Sequence, residues 1–210
     1  MERRMAGMGT PIPWKDQIGR GLPSGPVQDL SQFKLPPDFR GRPAWFVQLW
    51  WIVQALLFAT SPQVFYGWRR ALLRLFGAEI GPKVLLRPSV RVTYPWKVSI
   101  GANSWIGDHV ELYSLDRISI GDNVVVSHGS VLCAASHDYE TVEFKIVASP
   151  ITIEPEVWIA SQVFVSPGIT IGRGSVIGAR SLVTHNLPAY SKAAGHPAKV
   201  VGTRRTSPIR

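Results

Sequence analysis

His137 stands four residues after Cys133, the only cysteine, and directly ahead of a stretch that holds Asp138, Glu140 and Glu143. Three chemistries are open to such a group. An imidazole titrates near neutral pH, so it can take a proton from a hydroxyl as a general base. A thiolate beside it could act as a covalent nucleophile. One cysteine near one histidine is a weak signal, however, and small buried thiols are common in cores. A metal would need several ligands, and the remaining histidines, His109, His128, His185 and His196, are not closely spaced. The pattern favours His137 as an acid–base group and Cys133 as a structural residue, with no metal required. Which group would orient the His137 ring stays open among Asp138, Glu140, Glu143 and a main-chain carbonyl. His128 falls within a regular repeat and is expected to carry no catalysis.

What must position His137 is written in the spacing of aliphatic residues. Ile153, Ile159, Val165, Ile171, Ile177 and Val183 follow one another at a fixed step of six. The step recurs in Ile80, Leu86, Val92 and Val98, in Ile100, Ile106, Leu112 and Ile118, and in Ile120, Val126 and Leu132. A helix repeats at about 3.6 residues and a strand at 2, so neither imposes this period. A hexapeptide period predicts a triangular coil, three short strands and three corners closing a turn of about 18 residues. The aliphatic residue points into the narrow prism, and small residues behind it, as in Ile171-Gly172, relieve crowding where backbones meet. The frame slips by two between Val98 and Ile100, and again between Ile118 and Ile120, which reads as bulged corners. A larger break from Asp138 to about Pro150 reads as a loop thrown out of the stack, where binding faces lie. We expect an all-β solenoid of about five coils over residues 79–188, then a C-terminal tail, 189–210.

Ahead of the repeat, residues 1–42 are rich in Gly and Pro and read as a flexible arm. Residues 43–78 read as two helices, opened by Pro43 and by Ser61-Pro62 and stopped by Gly77. The apolar run 43–59 sits at the lower length limit of a membrane span and is interrupted by Gln48 and Gln54. Three fates are open to it. It can pack on the coils, lie in a membrane interface with Arg69, Arg70 and Arg74 against anionic lipid, or span. A net charge of +9 suits phosphorylated ligands or lipid headgroups. No recognition-helix or RNP-type pattern accompanies it, so nucleic acid is not an expected partner. A single cysteine, and no apolar run after Arg3 and Arg4, point to the cytoplasm, with a place beside the inner membrane open to it.

Four stretches carry a resemblance: RPAWFVQLWWIVQALLF, YGWRRALLRLFGAEIG, WIGDHVELYSLDRISIGDNVVVSHGSVLCAASHDYE and AGHPAKVVG. From about Arg42 to Arg204 the chain resembles the hexapeptide-repeat acetyltransferases, and among them the colanic acid biosynthesis acetyltransferases. The resemblance implies a left-handed β-helix, a homotrimer, acetyl-CoA as donor and a sugar hydroxyl as acceptor in exopolysaccharide or lipopolysaccharide assembly. It implies His137 as the catalytic base. Ser161 falls where a backbone amide approaches the thioester carbonyl, and Ala179 where a backbone group binds the pantetheine arm. Thr184 and His185 fall at further CoA contacts, and Lys199 at a cationic position near the CoA phosphates. Two departures stand out: the CoA-side lysine of galactoside and maltose acetyltransferases is His185 here, and their acceptor-binding asparagine is Gly107. Rival readings are O-acetylation of a small molecule such as an amino acid or antibiotic, and a non-catalytic scaffold. A zinc lyase of the β-helical carbonic anhydrase kind would need two histidines five residues apart, and no pair here has that spacing.

Overall fold

Strands of two or three residues recur in threes along the chain. The computed structural model describes residues 25–205, so the readings made of Met1–Thr10 and of most of the arm lie outside the described residues. The first coil holds β1 (Glu79–Ile80), β2 (Leu85–Leu86) and β3 (Arg91–Val92). The second holds β4 (Val98–Ile100), β5 (Trp105–Ile106) and β6 (Glu111–Tyr113), and the third β7 (Ile118–Ile120), β8 (Val125–Val126) and β9 (Val131–Cys133). A hairpin, β10 (Ala135–His137) and β11 (Ile146–Ala148), then leaves the stack. The fourth coil has β12 (Ile151–Ile153), β13 (Trp158–Ile159) and β14 (Phe164–Val165); the fifth has β15 (Thr170–Ile171), β16 (Val176–Ile177) and β17 (Leu182–Val183). Leu187 bridges to Ile171, and β18 (Ser191–Gly195) pairs with β16, so a sixth coil begins. The solenoid therefore has about six turns rather than five, because the inward positions continue past Leu187 into the segment expected as a tail, where Ala193 is buried. It ends on β19 (Ala198–Thr203), antiparallel to β18.

The result is a left-handed parallel β-helix with three flat faces. The first face stacks Ile80, Ile100, Ile120, Ile153 and Ile171 in register. The second stacks Leu86, Ile106, Val126, Ile159 and Ile177, and the third Val92, Leu112, Leu132, Val165 and Val183. All are buried, each contributing about 1.5–3 kcal/mol relative to exposure. The small residue that follows is dictated by the next coil. A Cβ on Gly121 would lie 2.6 Å from the Pro155 nitrogen, inside contact distance.

The two-residue slips have a different cause from bulges at Val98 and Ile118. Val98 and Ile100 both point inward from one strand, as do Ile118 and Ile120. The extra residues sit in the preceding corner, where Pro95–Lys97 make a 3-10 turn in the first coil.

The open edge of the first coil explains the helices. Backbone N–H groups of each coil donate to carbonyls of the next, as Gly81 does to Ile100 and Leu85 to Ser104. The first coil's own carbonyls thus lack a donor from before. Helix α1 (Ala44–Val53), which runs on as a π turn through Phe58, and helix α2 (Tyr66–Leu75) supply donors. Arg69 Nε donates to Leu86 O at 2.6 Å, Arg70 to Val84 O at 2.9 Å, Arg74 to Ile80 O, and Trp50 to Val92 O at 2.8 Å. Arginine and tryptophan suit that edge because their side chains are donors only. Of the three fates open to this segment, packing on the coils is the one its arginines show: they face the solenoid rather than lipid, Arg69 being fully buried. Among the described residues no helix is long and apolar enough to cross a membrane.

Candidate active site

The corners flanking the third face hold the residues singled out from the sequence. At the corner between the second and third faces, one residue per coil forms a column. Gln162 N donates to His128 O and Arg180 N to Ser161 O, each at 2.9 Å, which stacks His128, Ser161 and Ala179. The His128 ring also meets Ser161 Oγ, its Nδ1 at 3.1 Å. His128 thus belongs to this column rather than being an idle coil residue. The amides of Ser161 and Ala179 donate to no carbonyl among the described residues, so both remain free for a ligand. Lys199 pairs with Ala194 in the terminal hairpin, next to the Gly178–Ala179 corner because Ile177 pairs with Ala193. Ser161 and Ala179 therefore stack in one column, and Lys199 lies in the strand pair beyond its upper end.

At the corner between the third and first faces the chain is irregular. The excursion starts at Ala135, earlier than the expected Asp138, and pairs His137 with Ile146 across the hairpin. His137 Nδ1 lies 2.8 Å from Phe144 O, and its ring stacks on Phe144 with centroids 4.2 Å apart. A carbonyl only accepts, so Nδ1 is the donor in this contact and Nε2 is the ring nitrogen left without a hydrogen-bond partner among the described residues. No carboxylate orients this ring; a main-chain oxygen does, which residue types alone could not single out. A cavity of about 60 Å³ beside it is lined by Tyr113, Leu115, Ala135, Ser136 and Ile146. Burial, chiefly, raises the Tyr113 phenol above its ordinary value, so it stays a neutral donor there. Cys133 donates its thiol to Ala135 O at 3.1 Å. Thr184, two coils further on, meets His185 through its hydroxyl, 2.8 Å from Nδ1.

Part of the segment expected as a loose arm packs against this corner. Asp29 N donates to Val142 O, and Phe33 approaches the His137 ring at 6.2 Å. Lys97 donates to Phe39 O and to Leu115 O, and burial pushes its ammonium below the ordinary lysine value. Among the described residues no group of three or more His, Cys, Asp or Glu gathers that could hold a metal ion. Within one chain, His137 and the Ser161–Ala179 column lie at opposite ends of the third face.

The left-handed hexapeptide coil, with a hairpin carrying His137 extruded from it, has the fold of the hexapeptide-repeat acyltransferase class. No family model matches the chain. It is 54% identical over 178 residues to the colanic acid biosynthesis acetyltransferase WcaF of Escherichia coli, covering 85% of this chain and 98% of that one. It is 34% identical over 136 residues to the galactoside O-acetyltransferase of Escherichia coli, covering 63% and 67% of the two chains. A solved galactoside acetyltransferase in complex with coenzyme A superposes with a TM-score of 0.71 at 27% identity, over 81% of this chain and 84% of that one. The chain belongs to the hexapeptide-repeat acetyltransferases, within the colanic acid biosynthesis acetyltransferase family. It is an acyltransferase.

Proposed function

We propose that the protein transfers an acetyl group from acetyl-CoA to a sugar hydroxyl during assembly of a surface polysaccharide. The observation that carries this reading is the His137–Phe144 hydrogen bond, which leaves Nε2 free to act as a base. Nε2 takes the hydroxyl proton as the sugar oxygen bonds to the thioester carbonyl carbon. The Ser161 amide donates to the oxyanion of the tetrahedral intermediate. Collapse breaks the carbon–sulfur bond, and His137 returns the proton to the departing thiolate, leaving an acetyl ester and CoA thiol. Ala179 contacts the pantetheine arm, Thr184 and His185 add further contacts, and Lys199 meets the phosphates. Similarity to a galactoside acetyltransferase solved with coenzyme A supports that assignment.

Because His137 and the Ser161 column sit at opposite ends of one face, a neighbouring chain must complete each site. A homotrimer, in which every chain lends one corner to the next, meets that need with three equal sites. Light scattering should give three times 23.2 kDa, and a fully active monomer would refute it. The protein works in the cytoplasm, with residues 43–76 against a membrane surface. The test of activity is a panel of sugars with acetyl-CoA, reading free thiol and the acetyl ester. Thiol release with amino acids or antibiotics but with no sugar would overturn the sugar assignment.

A further inference from the structure

The segment ahead of the helices is tied down on both sides of the His137 corner. Trp96 and Lys97 stand side by side in the 3-10 turn that lengthens the first coil. They donate to consecutive main-chain carbonyls, Lys97 Nζ to Phe39 O and Trp96 Nε1 to Arg40 O, each at 2.7 Å. Lys97 also donates to Leu115 O, so without the segment a half-buried ammonium would lose one of its two acceptors. Phe39 packs on the small cluster of Val47, Tyr94, Leu115 and Ala135, and the last two line the cavity beside His137. At the other tie, Asp29 N donates to Val142 O in the hairpin loop at 2.8 Å.

Between these ties the backbone aims one side chain. The Asp29 carboxylate accepts from Ser31 N, Ser31 Oγ and Gln32 Nε2, which closes a 3-10 turn over Leu30–Gln32. Phe33 N then donates to Leu30 O. Leu30 and Leu35 are exposed, whereas Phe33 is half-buried and approaches the His137 ring. That ring therefore has one aromatic neighbour from the hairpin, Phe144, and one from the arm. A base that takes a proton from a sugar hydroxyl can take one equally from water. Attack of that water on the thioester carbonyl carbon breaks the carbon–sulfur bond and leaves acetate and CoA thiol. What occupies the space beside the imidazole thus bears on which acceptor reacts.

We infer that residues 29–41 are a strap across the His137 corner, and that Phe33 sets the choice of acceptor by keeping water from the imidazole. This deepens the proposed function and rests on His137 as its base. The lengthened first corner, which the hexapeptide period does not require, gains a role as the strap's anchor. Covering the ring does not seal the site against a sugar. Between strap and hairpin a cavity of about 630 Å³ stays open, lined by Gln32, Lys34, Glu143, Lys145 and Ile146 among others. Ile146 is the residue that pairs with His137 across the hairpin.

The test follows thiol release from acetyl-CoA by the full chain with no sugar present, so that water is the only acceptor. Phe33→Ala should raise this release about threefold or more over the wild type, because the strap no longer excludes water. KM for acetyl-CoA should stay unchanged, since the Ser161 column is untouched. Phe33→Leu, which restores an apolar side chain of similar reach, should bring the release back toward the wild-type rate. Lys97→Met, which cuts the tie at Phe39 and leaves Phe33 and His137 in place, should give a smaller rise. In a Phe33→Ala/His137→Ala double variant the rise should vanish, because the water is activated at the imidazole. A merely structural role for Phe33 would lower acceptor-free release and sugar transfer in step. That result, an unchanged release, or a rise that survives in the double variant would each overturn the inference. The base is read separately, through transfer to a sugar by His137→Ala. If that variant loses transfer while Phe33→Ala leaves acceptor-free release unchanged, the strap falls and the base stands.

Discussion

The two corners beside the third face obey opposite rules. Between the second and third faces every coil after the first turns alike, with a left-handed residue, His109, Gly129, Gln162 and Arg180, at the same place. Backbone hydrogen bonds stack these turns into a straight track, on which Ser161 and Ala179 repeat one position coil after coil. Between the third and first faces no two of the first three turns agree. The first is lengthened by the Pro95–Lys97 turn, and the third throws out the hairpin with His137. A repeating track suits a long, extended ligand such as CoA. A single reacting atom needs one group in one place, which a repeat cannot supply. On the proposed mechanism, binding goes with regularity and chemistry with its interruption.

The harshest way to break the comparison is to remove the scaffold that both corners share. Ile171 is buried at the first face between Ile153 and Leu187. Ile171→Asp places a carboxylate there without a partner, at a cost of several kcal/mol. We expect no cooperative melting and no acetyl-CoA binding, so both corners are lost together. A folded, active Ile171→Asp protein would show that the inward register is wrong.

Next in size is a change confined to the irregular corner. His137→Ala should lower transfer by about 10² to 10⁴, the usual worth of a positioned general base. Melting should barely move, and acetyl-CoA should bind as before, since the column of Ser161 and Ala179 is untouched. The reading fails if the variant keeps more than about a tenth of the activity with its true acceptor. His128→Ala is not a neutral control, because that ring hydrogen-bonds to Ser161; it should raise KM for acetyl-CoA.

These two corners also differ in how far the sequence reveals them. The step of six placed Ile153 through Val183 inside the prism, because a packed triangular core leaves an aliphatic residue no alternative. It located the interruption near His137 and its end near Pro150 but misjudged its start and the slips, since Val98 and Ile100 satisfy the pattern whichever side of them the extra residues lie. Arg69 was legible as a cation and not as a cap: residue type announces charge, while direction depends on where the first coil's carbonyls end up. Phe144 was invisible as the partner of His137, because every residue carries a carbonyl. Phe33 and Phe39 were obscured by a Gly- and Pro-rich neighbourhood, although each is an anchor able to hold its segment against the coils.

A gentler change addresses the regular track. Lys199 is exposed near the Ala179 corner, so the phosphate contact proposed for it is screened by solvent. Lys199→Ala should raise KM for acetyl-CoA by about 3- to 10-fold and leave kcat near the wild-type value. A fall in kcat with unchanged KM would move Lys199 from the donor track to the chemistry.

The smallest effect is expected at the remaining corner, between the first and second faces, which asks whether regularity is enough for function. That corner repeats as strictly as the donor track, with Lys83, Asn103, Asn123 and Glu156 all left-handed. Its decoration is an exposed pair, Arg173 donating to Glu156 at 2.6 Å. The hydrogen bond from Arg173, more than the charges of Arg173 and Arg204, holds the Glu156 carboxyl below the ordinary glutamate value. A carboxylate held low contributes its stability above its unfolded value and loses it as pH falls through the folded one. Arg173→Gln should therefore lower the melting temperature slightly near neutral pH. The gap to wild type should close as pH drops from about 5 to about 3. Activity at neutral pH should not change, because neither His137 nor the Ser161 column touches this corner. A tenfold loss of transfer in Arg173→Gln would mean that the site reaches across a second face, and the division of labour between two corners would have to become one among three.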